Sequence, residues 1–205
     1  MIPLANGRGH TGGVPPPRRY FNAQDDCWHV QLTQGETHVT ADPGELLTTV
    51  LGSCISACIR DPIAGVGGMN HFLLPEGADD DRNAMRYGVN AMELLINALL
   101  KRGAMRQRLE AKLFGGANVL AGLSDIGSRN AVFARQFLAN EGIPVVGGNV
   151  GGRAPRRIQY WPLTGRARQL ALATGEAAGL AERELSKARL IEKTQTSERD
   201  DVELF

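Results

Sequence analysis

Ile55, Ala57 and Ile59 alternate with Ser56, Cys58 and Arg60, a period of two that predicts a strand with one buried face. Asp61-Pro62 punctuates the chain, and Val66 to Leu74 reads as its hairpin partner. Upstream, an apolar run of Leu46, Leu47, Val50 and Leu51 breaks at Gly52-Ser53. Residues 28–32 and 36–40 predict two more strands, joined by a turn at Gln34-Gly35. The clearest helix runs from Ala84 to Arg102, where Met85, Val89, Met92, Leu95, Ile96 and Leu99 recur at three- and four-residue steps and Gly103 suits a C-cap. Leu109, Ala111 and Leu113 predict a strand that stops at Gly115-Gly116. A second helix spans Asn130 to Asn140, with Phe133 and Phe137 one turn apart. Ile143 to Val146 predicts a strand, and the GGNVGG run that follows a glycine-rich loop. Arg156 to Leu163 and Arg166 to Leu172 form a hairpin pattern, and residues 176–193 read as a charged helix. Strands outnumber helices, so the expected fold class is α+β, with antiparallel or mixed sheets flanked by at least two helices.

Composition narrows the class. A chain of 205 residues suits one domain with a proper core, here 27–173, between a Gly/Pro-rich arm (1–26) and a helical, charged tail (174–205). Lys and Arg number 23 against 22 Asp and Glu, and a net charge of +1 argues against nucleic acid as the main partner. No apolar run approaches a membrane span, and the N-terminus lacks the apolar core of a secretory signal. Three cysteines do not suggest a disulfide framework. These features together predict a cytoplasmic protein.

The candidate chemistry centres on Cys54 and His71. A hairpin turn centred between Pro62 and Ile63 pairs residues whose numbers sum to a constant that also pairs Cys54 with His71, with Cβ atoms about 5 Å apart. A bulge at the glycines at 65, 67 and 68 would shift that register by one residue. A free thiol has a pKa near ~8.5, so a neighbouring imidazole is needed to hold a thiolate at neutral pH and to pass a proton to a departing amine. The Gly52-Ser53-Cys54 backbone presents N–H groups suited to an oxyanion. At the level of residues the alternative stays open: a small buried Cys54 and a hydrogen-bonded core His71.

Other constellations are weaker. Cys27, His29, Cys58 and His71 lack the close Cys-x2-Cys type of spacing that structural zinc sites favour. GGNVGG with Arg153, Arg156 and Arg157 lacks the Lys-Ser/Thr pair of a phosphate loop, and GGAN lacks dinucleotide-binding spacing. No metal and no organic cofactor is expected.

The segments TTVLGSC and GGMNHFLLP resemble the chemoreceptor glutamine deamidase family, CheD, as do AKLFGGAN, DIGSRN and GGNVGGRAPRRIQYWPLTG. The family's Thr-x5-Cys-x16-His spacing falls here on Thr48, Cys54 and His71. The resemblance implies a layered fold shared with glutamine-deamidating toxins. It implies a Cys54 nucleophile, a His71 acid/base oriented by Thr48, and an oxyanion held by backbone at Gly52 and Ser53. Its implied partners are the cytoplasmic helical bundles of methyl-accepting chemotaxis receptors and, in some relatives, a CheC-type phosphatase. A non-catalytic chemotaxis adaptor and a different thiol hydrolase, such as a methylesterase or amidase, are the competing classes.

Overall fold

The computed structural model describes residues 17–74, 81–119, 125–172 and 179. In chain order the elements are β1 (Arg18–Asn22), β2 (Cys27–Gln31), β3 (Thr37–Thr40), β4 (Glu45–Leu51), β5 (Ile55–Asp61), β6 (Val66–Asn70), α1 (Asp81–Lys101), a 3-10 turn (Arg106–Arg108), β7 (Glu110–Gly115), α2 (Ile126–Asn140), β8 (Val145–Val150), β9 (Arg156–Trp161) and β10 (Arg166–Ala171). The fold is α+β, as the patterning predicts.

The strands form two five-stranded sheets, β1-β2-β4-β9-β10 and β3-β6-β5-β7-β8. Both are mixed, since β2 runs parallel to β4 and β7 parallel to β8 while the other pairs are antiparallel. Two cores separate three layers. Val30, Leu47, Leu51, Ile158 and Tyr160 of the first sheet meet Cys58, Met69 and Phe114 of the second. The opposite face of the second sheet, with Ile55, Ala57 and Ile59, packs on Met92, Leu95 and Leu99 of α1 and Phe133, Ala134 and Leu138 of α2. The period-two alternation of β5 is therefore real, but both of its faces are buried, one against a sheet and one against helices.

Several expectations are corrected. Residues 18–22 are strand β1, paired with β2, rather than part of an N-terminal arm. The strands β2 and β3 do not form a hairpin; the turn at Gln34-Gly35 carries the chain from the first sheet to the second. Only the end of the GGNVGG run is a loop: Gly147 to Val150 continue β8 beside β7, and Gly151 and Gly152 open the connection to β9. A Cβ on Gly148 would lie 2.0 Å from the Leu113 carbonyl oxygen, so glycine there reflects close strand packing rather than a flexible loop. The expected 176–193 helix, apart from Gly179, lies outside the described residues.

The β5–β6 register also differs. Asp61 pairs with Val66 and Cys58 with Met69, two positions beyond the register that would set Cys54 opposite His71. The cause is the turn. Asp61 Oδ1 accepts the N–H groups of Ile63 and Ala64 (2.9 and 3.0 Å), and Gly65 at φ +63° closes it one residue after the point where Pro62 suggests its centre. A two-residue slip preserves the face of every side chain, so the consequence for the site is small.

Candidate active site

Cys54 lies between β4 and β5, just after the break at Gly52-Ser53, and its side chain joins Leu51, Cys58, Met69 and Leu73 in the core between the sheets. His71 follows the last residue of β6. Ile55 pairs with Phe72 through two backbone hydrogen bonds of 2.9 Å each, which sets His71 opposite Ser56. Cys54 and His71 are thus diagonal neighbours on one face, about 7 Å apart at Cα, within reach of an imidazole ring. Both are buried.

His71 is held at backbone and ring. Its N–H donates to Glu36 (3.0 Å) and its carbonyl accepts from Gly35 (2.7 Å), so the sheet-crossing turn grips it. At the ring, Nδ1 lies 2.8 Å from Thr49 Oγ1, and that hydroxyl also donates to the Leu32 carbonyl at 2.8 Å. A hydroxyl has one proton. With it given to Leu32, Thr49 offers the ring only lone pairs, so Nδ1 carries a proton and acid/base exchange falls to Nε2.

The hydroxyl that meets the ring is therefore that of Thr49, not that of Thr48. Strand alternation puts Thr49 on the inner face of β4 with Leu47 and Leu51, and Thr48 on the outer face opposite Gln159. The Thr48 hydroxyl donates to the Ile158 carbonyl at 3.0 Å.

The loop that carries Cys54 is anchored through three consecutive carbonyls. Gly52 accepts from the Ala117 N–H (2.8 Å), Ser53 from the Asn130 side-chain amide (3.0 Å), and Cys54 from the Gly116 N–H (2.7 Å). All three donors lie in the turn after β7 or the first turns of α2. A trans peptide directs its N–H opposite to its carbonyl. The Ser53 N–H is consequently directed away from Ala117, and the Cys54 N–H away from Asn130. The turn depends on glycine. Gly115 sits at φ +105°, where a Cβ would lie 2.1 Å from the Cys54 carbonyl oxygen, and Gly116 sits at φ +64° against Gly127.

Two further groups border the site. Tyr87 of α1 places its hydroxyl against Gly35, and burial, then the negative charge of a Cys54 thiolate, push its phenol pKa up. Arg156, paired with Leu51 across β4–β9, gives its guanidinium to Asn149 (2.7 Å to Oδ1) and to the Gly151 carbonyl. It clamps the β8–β9 loop and is buried, whereas Arg153 and Arg157 are exposed, so the three do not form one anion site. The four residues weighed for zinc do not converge either: Cys27 and His29 lie on the outer face of the first sheet, with His29 Nε2 2.8 Å from Asp25, and Cys58 and His71 lie between the sheets. Among the described residues no cluster of three or more His, Cys, Asp or Glu has metal-binding geometry. Cys58, fully buried, has its thiol pushed up to about 12 by desolvation and is inert at neutral pH.

Sequence reasoning missed Thr49, Asn130 and Tyr87. Thr49 shares its parity with Leu47 and Leu51, but Leu46 and Val50 lie on the other parity and hide that signal. Asn130 and Tyr87 reach the site only through the packing of α2 and α1.

Comparison with known proteins decides the family. The sequence family described as CheD chemotactic sensory transduction matches residues 73–170. A relative from Caulobacter vibrioides (strain NA1000 / CB15N), named "Probable chemoreceptor glutamine deamidase CheD", is 61% identical over 150 residues, which cover 72% of this chain and 80% of that protein. The chain belongs to the CheD family. Two more CheD relatives with the same printed name are those of Caulobacter sp. (strain K31), 53% identical over 86% of this chain and 92% of that protein, and Rhizobium etli (strain CIAT 652), 57% identical over 72% and 82%. The match to the CheD family description begins two residues after His71. A solved structure, the Bacillus licheniformis hypothetical protein YfiH, superposes with a TM-score of 0.39 and 13% identity over 56% of this chain and 50% of that one, and carries no argument.

Proposed function

We propose that this protein hydrolyses the side-chain amides of specific glutamines on chemotaxis receptors, with Cys54 as nucleophile and His71 as acid and base. The observation that carries the mechanism is the Leu32–Thr49–His71 chain of hydrogen bonds, which leaves Nε2 to exchange protons on the face that Cys54 shares. The family membership and the relatives' printed names supply the substrate.

His71 Nε2 takes the thiol proton, and the Cys54 thiolate attacks the glutamine Cδ, moving the carbonyl electron pair onto oxygen. The N–H groups of Ser53 and Cys54 hold that charge. Collapse breaks the C–N bond while Nε2–H protonates the nitrogen, releasing ammonia and leaving a thioester. Water then attacks as Nε2 takes its proton, the C–S bond breaks, and glutamate departs. Nδ1–H stays on Thr49 throughout, so the ring does not turn between steps. No metal or organic cofactor enters.

Each conversion adds one negative charge to a receptor helix and creates a carboxylate open to methyl esterification. Like charges one turn apart weaken helix packing, which would bias signalling. The protein acts in the cytoplasm, where receptor helices lie, and a CheC-type phosphatase is a candidate competitor for it. Among the described residues, no helix is long and apolar enough to cross a membrane.

Incubation with a receptor cytoplasmic fragment, followed by mass spectrometry, tests the reading. The wild type is expected to convert glutamine to glutamate, a gain of about one mass unit without methanol release, and Cys54→Ala to convert none, because the chemistry needs the thiolate. Stable receptor binding without conversion would replace this reading with an adaptor. Methanol release would replace it with an esterase.

A further inference from the structure

Asn130 is buried on the fifth residue of α2, and both ends of its amide are engaged with the site. Its Oδ1 accepts the Leu74 N–H at 2.8 Å, three residues after His71. Its Nδ2 donates to the Ser53 carbonyl at 3.0 Å, one residue before Cys54. One side chain thus ties the histidine strand to the nucleophile loop across the end of the β5–β6 pair. We propose that Asn130 is a positioning residue for the reaction: by fixing the Ser53 carbonyl it fixes the Ser53–Cys54 peptide plane, and so aims the Cys54 N–H at the developing oxyanion. This rests on the glutamine-hydrolysis reading given above.

The geometry favours this role over a simple helix cap. Asn130 lies too far into α2 to cap it, and its two partners belong to neither helix. A side chain amide is the group that suits both partners, since one end must accept and the other donate. A carboxylate of the same shape would accept from Leu74 but turn an acceptor toward the Ser53 carbonyl. The loop's other anchors, Gly116 and Ala117, hold the carbonyls on either side of Ser53, so loss of Asn130 would free the central plane and leave its flanks fixed. A small rotation of that plane moves an oxyanion donor without moving the thiol or the imidazole.

The test compares wild type, Asn130→Asp, Asn130→Ala and, as a stability control on the same helix away from the loop, Leu138→Ala. Two readouts are taken. Steady-state deamidation of a receptor fragment is expected to show kcat lower on the order of 10²-fold in both Asn130 variants, with KM within about twofold of wild type. Leu138→Ala, equally or more destabilised, is expected to keep its kcat. Amide hydrogen exchange of the segment 51–57, measured without substrate, is expected to speed up in Asn130→Asp and not in Leu138→Ala. Equal falls in kcat for the Asn130 variants and the control, or a kcat unchanged in Asn130→Asp, would overturn the proposal. If wild type shows no deamidation while exchange changes as expected, the glutamine-hydrolysis reading fails and the clamp itself stands. Unchanged exchange removes the clamp whatever the kinetics show.

Discussion

Thr49 shows how one atom's bonding decides a residue's role. Its hydroxyl proton goes to Leu32, which fixes the protonated nitrogen of His71. A neutral orienter suits a histidine that must give and take a proton in successive steps, because it stabilises neither state strongly. Thr49→Val is isosteric and removes that bond. It is expected to lower deamidation kcat about tenfold to a hundredfold and to cost roughly 1–3 kcal/mol of stability, since Leu32 and Nδ1 lose a buried partner. Thr48→Val, which loses only the bond to Ile158, is expected to cost about 1 kcal/mol in urea unfolding and to keep more of the kcat. A larger kcat loss in Thr48→Val than in Thr49→Val would return the orienting role to Thr48.

At the level of elements, turns set the geometry. The Asp61 carboxylate accepts from Ile63, Ala64, Met105 and the Arg108 guanidinium, tying the β5–β6 turn to the segment before β7. Burial acts to raise its pKa, but these four donors win and hold it down at about 2. A depressed folded value means the contribution, on the order of 2 kcal/mol, is present above an ordinary aspartate pKa near ~3.9. It is lost as pH falls through about 2. Urea unfolding of wild type and Asp61→Asn should therefore differ most at pH 5 and above, and the gap should narrow as the buffer is taken down toward pH 2. A gap that stays constant would show that the charge is not what stabilises the turn.

The turn after β7 makes a stronger demand. Gly115→Ala would press a Cβ into the Cys54 carbonyl at a φ that L residues rarely adopt. It is expected to cost ~3 kcal/mol or more, seen as a lower thermal midpoint, and to lose deamidation in the fraction that folds. A Gly115→Ala protein of normal stability and activity would mean that the turn is not fixed as described.

At the scale of the molecule, the second sheet is the middle layer and the site lies at one end of it. Its inner face, against the first sheet, carries Cys54 and His71, and the first sheet contributes Thr49. Its other face is buried against α1 and α2, which supply Tyr87 and Asn130 at the same end. Under the proposed mechanism each layer therefore gives the site a different part: nucleophile and base, orienter, loop clamp.

Local patterning in the sequence determined the strands β2, β5 and β9, both helices, the glycine turn at Gly115 and the candidacy of Cys54 and His71. These depend on periods of two and 3.6 and on residues with special backbone freedom, which are legible over short windows. Register came out two positions off because a side chain four residues from the turn's end, Asp61, helped to set it. Only tertiary structure decided which threonine meets His71, since β4 is apolar on both parities and burial on both faces erases the alternation. The sheet crossing at Gln34-Gly35, the strand character of GGNVGG and the reach of Asn130 were likewise set by packing between segments far apart in sequence. Adjacent residues encode which elements form; the distances that make a site depend on how those elements meet.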